Sequence, residues 1–233
     1  MTHSRKLFLI PFCVLNLLFL THFTHAQATT VKAETSDPKA KALLDKVKKQ
    51  YEGYSSLETN FTLVLKMAEQ TKEETQKGKM YQEKDKFRIE IGKQLVISDG
   101  KIVWQKVDNN VQIKNASAKS SSSTEVLSIK DMMNVYDKKF IWGIVGETTE
   151  GWSKKAMTLV GKPMDRRNEY SKVQITIDQK TNQVISMTAF GKDQSRYKLS
   201  MDAPVLNKQY AATFFTFDKS KYPNVKVVDL RED

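Results

Sequence analysis

From Leu57 to the C-terminal end, the apolar residues of this chain recur mostly at every second position, not at every third or fourth. In LETNFTLVLKM, Leu57, Phe61, Leu63, Leu65 and Met67 alternate with Glu58, Asn60, Thr62, Val64 and Lys66. A period of two sends successive side chains to opposite faces, so such a run is a strand with one greasy face. KMYQEKDKFRIEI repeats the pattern, with Phe87, Ile89 and Ile91 set against Arg88 and Glu90. VQIKN, KAMTLVG, KVQITID, QVISMTAF, SRYKLSM, ATFFTF and VKVVDL follow as further strands. Polar turns such as Asp108-Asn109-Asn110 separate them, and Pro163, Pro204 and Pro223 fall in connections, where a missing N–H harms no ladder. About ten strands are predicted, without the helix after each strand that a parallel sheet needs. The fold class is mainly β (α+β): one antiparallel sheet with helical additions.

The sharpest local signal is LVISDGKIVW at 95–104. Asp-Gly between apolar runs predicts a two-residue hairpin loop, because both central positions take φ > 0. With Asp99-Gly100 as the loop, Ile97 pairs with Ile102 and Leu95 with Trp104. Paired residues share a face. Leu95, Ile97, Ile102 and Trp104 then form one apolar wall, either ordinary core or a ligand surface. The turn accounts for Asp99 as a structural residue.

Two or three helices are expected, two of them with clear signals. Asp37-Pro38 reads as an N-cap with proline at the first helical position. Ala40, Leu43, Leu44, Val47 and Tyr51 then mark one helical face, and Gly53 stops it. This helix either packs as core or serves as a movable lid. In the middle, AKSSSST is a polar low-complexity loop, and Ser122 with Glu125 fits a capping box. The helix it opens carries Val126, Ile129, Met133 and Tyr136, with Met132 beside them, and runs into the apolar patch FIWGIVG that contains Trp142. Flexible, methionine-rich surfaces suit changing partners.

Residues 1–26 read as a secretory leader: Arg5 and Lys6, an apolar run, then a polar stretch ending at Ala26. Cleavage after about Ala26 and an exported protein are expected, with an uncleaved anchor as the alternative. Residues 27–37 form a polar, flexible lead. The only cysteine, Cys13, and all three histidines (His3, His22, His25) lie in the leader. The processed chain therefore has no disulfide, no Cys or His nucleophilic site and no zinc site of the usual kind. The net charge of +11 falls to +9 with Arg5 and Lys6 removed, since residues 1–26 hold no acid. That charge favours anionic surfaces such as lipid head groups over nucleic acid, which is scarce outside the cytoplasm. The lysines look scattered, as on a solvated face.

No phosphate-binding glycine motif occurs. Glu73-Glu74 and the terminal Asp229, Glu232 and Asp233 lack an apolar frame to raise a carboxyl pKa. The serines at 120–123 have no base beside them. Asn60-Phe61-Thr62 and Asn115-Ala116-Ser117 match glycosylation acceptors, a pattern frequent by chance. The expected protein is not an enzyme and has no catalytic residue, metal or cofactor.

Four blocks, in order, resemble the periplasmic outer-membrane lipoprotein carrier family of Gram-negative bacteria, the LolA-like proteins. They are SSLETNFTLVL after the first helix, FRIEIGKQLVISDGKIVW, VQITIDQKTNQVISMTAFGKDQSRYKL, and the closing FTF…PNVKVVD. Together they span residues 38–233. The resemblance implies a strongly curved antiparallel sheet, an open half-barrel covered by lid helices that encloses an apolar cavity. That cavity shields lipoprotein acyl chains between the inner and outer membranes. It implies acylated lipoproteins, an inner-membrane lipoprotein-releasing ABC transporter and an outer-membrane receptor as partners, with a monomeric carrier. The expected lipid-binding residues are Leu43, Leu44, Val47, Phe61, Leu63, Leu65, Phe87, Ile89, Leu95, Ile97, Ile102, Trp104, Met132, Met133 and Trp142. The family's lid arginine, in an Arg-Pro pair before the FRIEI-like strand, is missing. Lys84 or Arg88 stands in for it, and a lysine lacks the bidentate fork. A lipid- or lipoprotein-sensing regulatory module is the alternative reading, and a non-catalytic structural periplasmic protein a further one.

Overall fold

The structure, a computed structural model, describes residues 35–116 and 139–231. Residues 1–34 and 117–138, where the leader and the central helix with Met132, Met133, Ser122 and Glu125 are expected, lie outside the described residues. Among the described residues, no helix is long and apolar enough to cross a membrane.

Among the described residues, thirteen strands join one open sheet. They are β1 (Leu57–Lys66), β2 (Glu74–Glu83), β3 (Lys86–Ile91), β4 (Gln94–Ser98), β5 (Ile102–Val107), β6 (Asn110–Asn115), β7 (Phe140–Thr148), β8 (Ala156–Pro163), β9 (Tyr170–Asp178), β10 (Gln183–Gly191), β11 (Arg196–Met201), β12 (Val205–Leu206) and β13 (Lys226–Asp229). The order across the sheet is β13-β6-β5-β4-β3-β2-β1-β11-β10-β9-β8-β7, with β12 beside β1. The sheet is a curved, open half-barrel, and every pairing but one is antiparallel. The exception is β13, which lies parallel to β6, because the chain returns to that edge over the face of the sheet and not through a hairpin.

KMYQEKDKFRIEI is two strands, not one. Lys84 takes φ 55° in a two-residue turn, and Glu83 pairs with Lys86 across it. The polar stretch before it joins β2, since a strand with one wet face tolerates polar residues. FIWGIVG belongs to β7. ATFFTF, expected as a strand, holds a 3-10 turn at Ala212–Phe215 instead. There the rings of Phe214 and Phe215 pack edge to face, 5.1 Å apart.

Helix α1 (Pro38–Glu52) has its proline at the first position. The Asp37 carboxylate accepts from the backbone N–H groups of Lys39 (2.7 Å) and Ala40 (3.2 Å). Ala40, Leu44 and Val47 are buried in one cluster with Leu57, Phe61, Met80, Ile89, Val96, Trp142, Leu159, Ile175 and Met187. That cluster defines the helix side of the sheet.

Candidate functional site

Strand register decides which face each side chain serves. On the helix side Phe61 opposes Gly78 and Met201, and Leu63 opposes Leu199. Met80 opposes Ile89, which opposes Val96. Met187 opposes both Leu199 and Ile175, and Ile175 opposes Leu159. One continuous apolar surface thus runs from β5 to β7. Its two large aromatic anchors sit over glycines: Phe61 faces Gly78, and Trp142 faces Gly161. A Cβ at Gly78 would come within 2.3 Å of the Phe61 ring, and one at Gly161 within 2.8 Å of the Trp142 ring. Both rings therefore lie flat in the floor of the site.

Helix α1 is tied over this floor at both ends. Trp142 lies on the edge strand β7, and its backbone groups turn outward to the start of the helix. Its carbonyl accepts from Asp37 N–H (2.7 Å), and its N–H donates to Ser36 Oγ (3.0 Å). At the other end Val184 N–H donates to the Tyr51 hydroxyl (3.1 Å). Gln183 Nε2 donates to the Tyr54 hydroxyl (2.9 Å). Burial raises the Tyr51 phenol well above its ordinary pKa, so it stays neutral. Beside this end of the helix a pocket of about 310 Å³ opens between Tyr51, Glu52, Tyr54, Leu57, Gln82 and Lys84.

Leu44, Val47, Phe61, Ile89 and Trp142 are buried in the helix-side cluster, and Leu43, Leu63 and Phe87 pack partly buried against it. Leu65 shares the face through its partner Tyr197. Met132 and Met133 lie outside the described residues. The sequence reading passed over Met80, Val96, Leu159, Val173, Ile175, Ile177, Met187 and Met201, which belong to the same cluster. The alternation in KVQITID already placed three of these on one face.

The hairpin wall is a correction. Asp99 opposes Ile102, so the loop is Gly100-Lys101, and Ile97 pairs with Trp104. The Asp99 carboxylate accepts from Lys101 N–H and Ile102 N–H, both at 2.8 Å, and Gly100 takes φ 91°. A glycine first with positive φ is the type II′ pattern. The slip is two residues, so Leu95, Ile97, Ile102 and Trp104 still share a face. That face is the outer one, away from α1: Val96 points to the helix-side cluster, and its neighbours Leu95 and Ile97 point the other way. Residues 210–222 cross over them. Phe214 packs on Tyr81 (4.9 Å) and under the Arg88 guanidinium (5.2 Å), and Lys106 sits over Tyr222 (5.0 Å). Ile97 and Phe215 are each 1 % exposed. The wall is thus part of a second small core under this strap, not of the surface beneath the helix.

Arg88 is corrected with it. Lying between Phe87 and Ile89, it projects outward, where Nε donates to Glu90 (2.7 Å). Lys84 is placed at the helix side, lining the pocket beside Tyr51 and Glu52.

A sequence model of the family described as outer membrane lipoprotein carrier protein LolA matches residues 52–218. No curated protein matches the chain. An uncharacterized conserved protein from Thermus thermophilus shares the fold at a TM-score of 0.55 and 15 % identity, covering 82 % of this chain and 99 % of that one. The lipoprotein LppX of Mycobacterium tuberculosis scores 0.45 at 13 % identity, over 76 % of this chain and 100 % of that one. A LolA superfamily protein from Nitrosomonas europaea scores 0.41 at 12 % identity, over 76 % and 97 %.

Proposed function

This chain belongs to the outer membrane lipoprotein carrier protein LolA family, and from that premise we propose that it carries acylated lipoproteins across the periplasm. Their acyl chains lie against the helix-side face of the sheet. The observation that supports this reading is a mismatch of areas. The apolar face runs across strands β5 to β7, yet among the described residues the helix packed on it has fifteen residues, about 22 Å of length. Leu63, Phe87, Ile91, Val103, Leu199 and Met157 on that face remain partly exposed. An ordinary core of this size is covered more fully.

The energetics fit such a cargo. Burying a methylene is worth about 0.8 kcal/mol, so an acyl chain of roughly 16 carbons gains on the order of 10 kcal/mol from a greasy floor. Leu44 and Val47 of α1 occupy the floor when it is empty and compete with cargo, which keeps release possible. An inner-membrane transporter of the ABC type supplies the cargo and an outer-membrane receptor takes it. Lys84, beside the end of α1, is the better placed of the two lid-control candidates. Residues 1–26 direct export and are removed.

Native mass spectrometry of the protein purified from its own periplasm tests this. Co-purifying acylated peptide is expected. The double variant Leu63→Gln, Leu199→Gln makes one half-buried facing pair polar and lowers that occupancy at least ten-fold, with an unchanged circular dichroism spectrum. A protein that carries no acyl chain and takes none from acylated peptide overturns the reading; so does full occupancy in the double variant.

A further inference from the structure

The outer face of the sheet has two unlike halves. Over β4–β6 it carries the apolar wall that the strap crosses. Over β8–β11 and β1 it is polar, and the register gathers cations that look scattered in the sequence. Lys172 opposes Phe190, Phe190 opposes Arg196, and Arg196 opposes Lys66. This is one straight row across four neighbouring strands, about 14 Å at the usual strand spacing. In the next row, Lys198 stands between Thr188 and Val64. Lys77 is on the same face, opposite Thr62.

Like charges directly opposite each other on neighbouring strands destabilise a sheet, yet Arg196 and Lys66 are so placed. Glu73 pairs with Arg196. Lys66, Lys77, Lys172 and Lys198 have no carboxylate partner among the described residues. Lys172 lies over the Phe190 ring at 4.6 Å. At this same end of the sheet the chain leaves β8 at Met164, which is 56 % exposed. The loops there also carry acids, but they are occupied in part: Asp165 pairs with Arg167, and Asp193 turns inward to Ser195. Glu69 and Glu169 remain as local negative charge.

We infer that this end of the outer face docks on an anionic bilayer surface. Lys66, Lys172 and Lys198 meet lipid phosphates, and Met164 reaches into the head-group layer. Methionine suits that contact, being apolar and flexible. A bilayer fits better than a single small anion, because the cations form a broad flat row with no cleft around them. The inference is independent of what the helix-side face holds.

Vesicle co-sedimentation of the purified protein tests it. Binding to vesicles of mixed phosphatidylglycerol and phosphatidylcholine is expected, with none to pure phosphatidylcholine and a loss at high salt. Each cation near an anionic surface contributes roughly five-fold in affinity. Lys172→Gln with Lys198→Gln therefore weakens binding about 25-fold. Lys46→Gln with Lys49→Gln, on the exposed side of α1, removes the same net charge and leaves binding within about two-fold, since those cations lie on the other side of the sheet. Met164→Ser weakens binding at low salt. Equal loss from the two lysine pairs means that net charge acts, not this surface, and overturns the inference. Binding that ignores lipid charge overturns it as well.

Discussion

Glu58 is buried on the outer face and accepts from three donors: Lys79 Nζ at 2.5 Å, Lys208 Nζ at 2.9 Å and the Tyr210 hydroxyl at 2.9 Å. The lysines, Lys79 first, hold its carboxyl at about 2 against an ordinary 4.5. A depressed folded pKa stabilises the native state above the unfolded value and is lost as pH falls through the folded one. Glu58 thus contributes on the order of 2 kcal/mol at neutral pH, fading between pH 4.5 and about 2. Glu58→Gln should lower stability by about 1–2 kcal/mol at pH 7 and flatten the acid limb of urea midpoints taken against pH. Its effect should appear first as faster amide exchange around Tyr210, the strap residue it holds. Gly78 and Gly161 make a second residue-scale prediction. A Cβ at Gly78 meets the Glu90 carbonyl at 2.6 Å as well as the Phe61 ring, whereas at Gly161 the three nearest atoms all belong to the Trp142 ring. A ring can shift and a backbone carbonyl cannot. Gly78→Ala should therefore cost about 1–3 kcal/mol and Gly161→Ala less, read from urea midpoints. The outward direction of Arg88 was legible, because alternation with Phe87 and Ile89 fixes it. Its contact with Glu90, on the same face two residues on, was legible as well; its place over Phe214 was not, since Phe214 lies over a hundred positions further along the chain.

The same division appears in whole elements. The start of α1 is written locally in Asp37 and Pro38, and every strand with clean alternation is where its pattern puts it. The hairpin's existence was equally local, but not which way its wall faces. LVI is apolar at three consecutive positions, so alternation cannot say which of its faces meets the helix. Both are in fact buried: Leu95, Val96 and Ile97 are 6 %, 8 % and 1 % exposed. The outer cover comes from ATFFTF, whose aromatic run reads as strand by propensity. It forms a turn because Tyr81, Arg88 and Tyr210 offer it more buried contact than another edge would. Tertiary context outweighs intrinsic β preference at such a site. The strap should act as a separable element. Phe215→Ala removes a ring that is 1 % exposed and should cost about 3–5 kcal/mol. It should raise binding of an apolar dye at the uncovered Ile97 and Trp104, while amides of α1 keep their protection.

At the scale of the molecule, β1 sits between β2 and β11, so the two halves of the chain meet at one seam, where Phe61 opposes Met201. The helix-side face crosses that seam without interruption, and acyl chains laid along it would touch both halves. A ligand that binds only the native state stabilises it by RT ln(1 + [L]/Kd), about 2.7 kcal/mol at a hundredfold excess over Kd. For a domain of this size each kcal/mol raises Tm by roughly 2–4 °C, so a saturating long-chain fatty acid should raise Tm by about 5–10 °C. Three regions of the sheet then locate the site by which variant removes the shift. Leu63→Gln with Leu199→Gln should abolish it, because that pair lies at the seam on the helix side. Phe215→Ala, which alters the strap, should lower the starting Tm and leave the shift intact. Lys172→Gln with Lys198→Gln should change neither for an acyl chain bound on the opposite face. A shift that vanishes with Phe215→Ala would move the apolar site to the outer core, where the cover is aromatic and closed. A shift that vanishes only with the lysine pair would mean that the carboxylate end is what binds.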